Sequence, residues 1–179
     1  MSGQDKDSPT VKREAELNYG VTTLGQRDTV LAANERTYVV LGVSRGGTSA
    51  AAGILNFLGV PMGSTGEAPL FEDLPMNRAL SQGIESVETL IARNNAEKSV
   101  WGFKGNTITL PYEEIAMKMR NPVFIVIFRD LLAIANRANL SAGRDVAAIM
   151  QRQGKEYQRI VDFVSTGRFY SVLDRKSVV

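Results

Sequence analysis

Among its 179 residues the chain has no cysteine and no histidine. Without thiols, disulfide staples, thiolate metal sites and a cysteine nucleophile are excluded. Without imidazoles, the commonest general base and the commonest nitrogen metal ligand are gone. Acid–base chemistry must then fall to Asp, Glu, Lys or Tyr. Long hydrophobic runs are missing as well: the longest unbroken one is Val123 to Phe128, far short of the roughly 20 residues that span a bilayer. Nor is there a dense basic run. Lys plus Arg exceeds Asp plus Glu by 21 to 19, too small a surplus for a nucleic-acid-binding stripe. The stretch from Met1 to Leu17 is charged and lacks the apolar core of a secretory signal. A soluble, cytoplasmic protein with no membrane span and no nucleic-acid partner is expected.

What is present fits one domain. Hydrophobic residues at 44% and charged residues at 22% are ordinary for a globular chain. Residues 1–35 are polar and irregular and read as a flexible leader, with a short pairing segment near Val30 to Ala33; residues 36–179 read as the folded domain. Thr37 to Val43 is a β-branched and aliphatic run suited to a strand buried on both faces. It leads into Ser44-Arg45-Gly46-Gly47-Thr48-Ser49 and a helix from Ala50 to Leu58. Helices are expected in part of Glu72 to Gln82, from Ile84 to about Asn94, from Pro111 to Met119, from Leu131 to Ala138 and from Asp145 to Val164. Strands are expected at Val100 to Lys104, Val123 to Phe128 and Phe169 to Leu173. Alternation of this kind predicts an α/β domain with a central parallel sheet flanked by helices, and function at the carboxyl ends of its strands.

Gly42 to Gly47 has the Gly-x4-Gly spacing of a phosphate loop. Glycines let the backbone approach an anion closely, and amides at a helix N-terminus point donors at it. Thr48 and Ser49 add hydroxyls. A nucleotide triphosphatase would place lysine where Thr48 stands and would end a second strand in a magnesium-holding acid. Here the cation is Arg45, and Val123 to Phe128 ends in Arg129 before Asp130. Such a site suits anions without a metal. Read without its context, Gly46-Gly47 is a strand-to-helix turn with a Thr/Ser cap.

These residues resemble the sulfotransferase family. Arg45 to Ser49 with Gly53-Ile54-Leu55 and Leu58-Gly59-Val60 is similar to that family's 5′-phosphosulfate loop and helix; Glu72-Asp73-Leu74 is similar to the acidic segment of bacterial-type members. Trp101-Gly102-Phe103-Lys104 resembles the strand bearing an active-site lysine, and Asn121 to Asp130 the strand whose terminal arginine binds the donor's 3′-phosphate. The likeness covers about Tyr38 to Leu173. It implies a P-loop nucleotide hydrolase-like three-layer sandwich. It also implies sulfuryl transfer from 3′-phosphoadenosine-5′-phosphosulfate (PAPS) to a hydroxyl or amine of a small-molecule or carbohydrate acceptor.

On that resemblance Ser44, Arg45, Gly46, Gly47, Thr48 and Ser49 grip the 5′-phosphosulfate, with Arg45 neutralising the bridging oxygen. Arg129 and Arg137 take the 3′-phosphate. Lys104 stabilises the sulfuryl oxygens, and Glu72, ahead of Asp73 and Glu67, is the base. No metal is called for. Asn136-Arg137 stands where the family has a helical serine, Gly105-Asn106 where it has Asp-Pro, and Leu131 where a proline is expected. The family's further C-terminal helices are expected to be lacking. Two alternatives differ in class: a P-loop kinase or nucleotide hydrolase, and a non-catalytic truncated nucleotide-binding domain.

Overall fold

A computed structural model describes residues 17–18, 20–63, 70–105 and 112–175. Seven residues, Arg36–Gly42, form strand β3, in which Val39, Val40 and Leu41 are all buried. Neither face of such a strand tolerates water, so it belongs in the middle of a sheet covered on both sides. It pairs in parallel with β4 (Val100–Gly105) on one side and with β5 (Pro122–Phe128) on the other. Strand β6 (Tyr170–Arg175) continues the parallel set on the far side of β5.

Beyond β6 the direction reverses. Strand β2 (Val21–Leu24) pairs antiparallel with β6, and the two-residue β1 (Leu17–Asn18) pairs antiparallel with β2. The result is a mixed six-stranded sheet in the order β1-β2-β6-β5-β3-β4. Two expectations change here. The sheet is not wholly parallel, because Val21–Leu24 supplies an antiparallel neighbour to β6. The pairing expected at Val30 to Ala33 falls instead at residues 21–24, while Arg27–Ala32 is a short helix, α1. Residues 1–16 of the expected leader lie outside the described residues.

The remaining helices are α2 (Thr48–Phe57), α3 (Leu74–Gln82), α4 (Ile84–Glu97), α5 (Tyr112–Ala116), α6 (Leu131–Ala142) and α7 (Val146–Ser165). Three of them start on an aspartate cap. Asp73 accepts from the Met76 amide, Asp130 from the Ala133 amide, and Asp145 from the amides of Ala147 and Ala148. Such caps satisfy donors that the first turn leaves open, contributing about 1 kcal/mol each. Helix α6 runs past the expected end at Ala138 until Gly143, whose left-handed φ of 60° terminates it. Pro111, expected to open α5, lies outside the described residues.

Alternation along the strands divides the core. Val39, Leu41, Phe124 and Val126 face α3, α4, α5 and α7, packing on Met76, Ile91, Ile115 and Phe163. Val40 and Ile127 face α2 through Ala52 and Leu55. Phe124 meets Phe163 edge to face at 4.9 Å between ring centroids, a contact that adds about 1 kcal/mol to the burial of both rings. Trp101, buried and stacked on Phe103, donates its indole N–H to Asn95.

Candidate functional site

The four parallel strands end on one edge of the sheet. Leu41 is level with Gly105, Gly42 with Ile127, and Phe128 with Arg175. The loop that leaves β3 is therefore flanked by the ends of β4 and β5. Ligands of open α/β sheets bind at such edges.

Within the loop, the Gly46 amide turns inward and donates to the Val43 carbonyl at 2.9 Å. It is not available to an anion, which narrows the expected set of donors from Arg45 to Ser49. Gly46 has no room for a side chain, because a Cβ would stand 2.8 Å from the Val43 carbonyl oxygen. Gly47 caps α2 with φ of 105°, and among the described residues no side chain caps that helix. Its first turn thus presents amides to the sheet edge without a built-in acceptor. Arg45 also lies in the left-handed region, at φ 66°, a conformation that non-glycine residues adopt at a cost of roughly 1 kcal/mol. Both Ser44 and Arg45 are exposed; Thr48 is buried and Ser49 half-buried.

On the β4 side the tip is Lys104, only 2% exposed. Its ammonium donates to the Leu70 carbonyl at 2.7 Å, to Ser49 Oγ at 3.1 Å and to Glu72 Oε1 at 3.3 Å. A buried cation survives only when its charge and protons are matched, and these partners match them. Phe71 makes the arrangement possible. Its φ of 49° lets the carbonyl before it and the side chain after it converge on one ammonium. The Phe71 ring is anchored against Gly53 of α2, where a Cβ would come within 2.8 Å of it. Of the three base candidates, Glu72 sits beside Lys104 with its side chain 33% exposed. Asp73 is buried and engaged as the α3 cap. Burial pushes its carboxyl above the ordinary carboxylate range, opposed by the Met76 amide and by the charges of Lys98 and Arg93. Glu67, like the Asn106 that follows Gly105, lies outside the described residues.

The β5 side ends in Arg129. Its backbone amide donates to Tyr157 Oη at 2.8 Å, and the Tyr157 hydroxyl donates to the Arg129 carbonyl at 3.3 Å. The guanidinium reaches the loop, donating to the Arg45 carbonyl at 3.4 Å. Tyr157, from α7, was missed by sequence reasoning. Its signal is a polar-tipped residue on the apolar stripe Ile149, Gln153, Tyr157, Ile160 and Val164. Burial raises its phenol above the ordinary value, opposed by the Arg129 backbone bond and charge. Arg137 projects from an exposed turn of α6, and no hydrogen bond or ion pair joins it to the other site residues among the described residues.

Two groups thus bracket the loop: Lys104 with Glu72 and Ser49, and Arg129 with Tyr157. Beside Ser44 and Arg45 a cavity of about 250 Å³ opens between α6 and α7. Among the described residues no cluster of three or more Asp or Glu could hold a metal ion, and no helix is long and apolar enough to cross a membrane. No protein-family model matches the chain, and no curated protein matches it.

Proposed function

We propose that the chain is a PAPS-dependent sulfotransferase with a P-loop-like core, moving a sulfuryl group to a hydroxyl or amine. One observation carries the reading: a lysine buried at a strand end is aimed by a carboxylate at the first turn of α2, beside a glycine loop. In sulfuryl transfer the acceptor oxygen or nitrogen attacks sulfur, the bond from sulfur to the bridging phosphate oxygen breaks, and adenosine 3′,5′-bisphosphate leaves. The acceptor's proton must go to a base as the new bond forms.

Each group at the sheet edge has work in that scheme. Amides at the start of α2 and the Arg45 guanidinium take the 5′-phosphosulfate and the charge that grows on the leaving oxygen. Lys104 supplies positive charge to the sulfuryl oxygens, and it is pre-positioned by Ser49 and Glu72. Glu72 is the base, since it is partly exposed whereas Asp73 is occupied by its cap. Arg129, a planar fork at the neighbouring strand tip, suits a phosphate bidentately, and Arg137 is the remaining candidate for the same 3′-phosphate. The strand order β4-β3-β5-β6 supports the P-loop-like assignment by setting the loop strand between two others.

Thermal unfolding with adenosine 3′,5′-bisphosphate tests the reading. At a hundredfold excess over Kd the ligand raises stability by about 2.7 kcal/mol. A melting temperature unmoved at millimolar ligand overturns the assignment. Transfer of labelled sulfate from PAPS to a panel of hydroxyl and amine acceptors then tests catalysis. Magnesium-dependent ATP turnover in its place would mark a kinase or hydrolase.

A further inference from the structure

Helix α2 is apolar on both sides. Its inner face packs Ala52 and Leu55 with Val40 and Ile127 of the sheet. Its outer face carries Ile54, Phe57 and Leu58, which are 61%, 90% and 71% exposed. A helix that is hydrophobic all round is ordinarily covered all round. The outer face of α7 is different, turning Arg152, Lys155, Arg159 and Asp162 to solvent. From Gly46 to Gly66 the sequence holds no Asp, Glu, Lys or Arg, although 22% of the whole chain is charged.

Ile54, Phe57 and Leu58 are neighbours, because positions three and four apart share a helix face. Together they leave on the order of 400 Å² of apolar surface in water, within the range in which a patch is often functional. That is about half of what each partner contributes to a standard protein–protein interface. It matches the apolar centre of such an interface.

Two features name the occupant. The exposed side of α2 runs from small to large, with Ala50 in its first half and Ile54, Phe57 and Leu58 in its second. An antiparallel copy centred on Ile54 lays each bulky half over the other's small half, and Ile54 meets its mate. Isologous contacts require this self-complementarity. The second feature is charge. A two-fold axis brings residues near it close to their own copies, so a charge there would repel itself, and this ridge has none. A lipid surface is the poorer match, because helices that lie in a membrane interface carry Lys and Arg on their polar face.

We propose that the outer face of α2 is the centre of a two-fold dimer interface, occupied by a second copy of this chain. The inference stands apart from sulfuryl transfer, because it uses the side of the helix and no ligand of the sheet edge.

The experiment is sedimentation velocity on the full chain from about 1 to 100 μM, with thermal melts over the same range. The parent is expected to become dimeric, and its melting temperature to rise with protein concentration. Phe57→Glu is expected to raise the dimer dissociation constant at least about a hundredfold and to melt independently of concentration. Leu140→Glu, at a leucine 88% exposed on α6, is the control and keeps the dimer.

Because the chain has no cysteine, geometry can be tested with one introduced thiol. Packed helices bring facing Cα atoms within disulfide reach, so Ile54→Cys is expected to oxidise to a covalent dimer while Leu140→Cys does not. A parent that stays monomeric across the range, or that forms open-ended aggregates, overturns the proposal. A dimer that survives Phe57→Glu and gives no Ile54→Cys cross-link overturns it too. Monomers that float with neutral phosphatidylcholine vesicles, and cease to in Phe57→Glu, would give the ridge to a lipid surface instead.

Discussion

Lys104 Nζ lies 3.3 Å from Glu72 Oε1 although 32 residues separate them, and the lysine is buried while the carboxylate meets solvent. The pair is therefore asymmetric: the cation depends on its partners more than the anion does. Lys104→Met is expected to cost about 3 kcal/mol, because it strands the Leu70 carbonyl and Ser49 as well as Glu72. Glu72→Gln is expected to cost only about 1 kcal/mol, since two acceptors still hold the ammonium. Urea unfolding of both single variants and the double variant measures the coupling. Equal losses from the two single changes would show that the carboxylate, not the shell of acceptors, holds Lys104. On the proposed chemistry Glu72→Gln also removes the base, so sulfate transfer is expected to fall at least a hundredfold with bisphosphate binding retained.

Tyr157 holds the backbone of Arg129 at both its amide and its carbonyl, so Tyr157→Phe frees the strand tip without emptying the ring's space beside Phe128. A loss of about 1 to 2 kcal/mol in stability is expected from the two broken bonds. Nucleotide affinity is expected to drop severalfold, because the guanidinium that reaches the Arg45 carbonyl loses its fixed base. The phenol's raised pKa gives a further check. Folding favours its neutral form, so its stabilising contribution is complete below the ordinary value of 10.0 and is lost as pH rises through the higher folded value. The phenylalanine variant is expected to lose that part of the alkaline decline in unfolding free energy. An identical alkaline limb in parent and variant would remove Tyr157 from the account.

How much of this was readable in advance depends on distance along the chain. The strand, glycine loop and helix from Arg36 to Phe57 are contiguous, so period and turn chemistry revealed them directly. Arg129 was visible because six apolar residues run straight into it. The encounter of Lys104 with Glu72 was not, because it needs β4 beside β3 and a left-handed Phe71, neither of which any local pattern encodes. Val21–Leu24 looked polar and irregular for a related reason: flanked on its outer side only by the two-residue β1, it is half-buried along its whole length and carries weak alternation. Tyr157 was hidden within an amphipathic helix, where a polar tip on the inner stripe passes for packing until its partners are known.

Asp73 offers a pH test with a defined sign. Its folded pKa is raised above 3.8 by burial, so the folded state binds its proton more tightly than the unfolded chain does. Its contribution is complete below 3.8 and declines as pH climbs through the raised folded value. Asp73→Asn keeps a capping oxygen for the Met76 amide and removes the ionisation. It is expected to match or exceed the parent's stability at pH 7 and to show a flatter profile between pH 4 and 7. Asp73→Ala, which loses the cap, is expected to cost about 1 kcal/mol. Urea midpoints across that range decide the matter, and a steeper profile for Asp73→Asn would reverse the assignment.

The end of β4 carries a steric relationship that can be broken and then repaired. A Cβ on Gly105 would stand 2.5 Å from Tyr112 Oη, whose hydroxyl is buried and has no hydrogen-bond partner among the described residues. Gly105→Ala is therefore expected to destabilise by about 1 to 3 kcal/mol, the usual cost of forcing a methyl into a filled core. Tyr112→Phe alone is expected to be neutral or stabilising, because it deletes a desolvated hydroxyl with no partner among the described residues. Combined, the two changes should recover most of the loss, since the atom in the way is gone. Thermal melts of the three variants suffice. If the double variant is as unstable as the sum of the singles, the strain at Gly105 comes from its backbone and from Leu41, whose Cδ2 would be the next nearest contact at 3.3 Å.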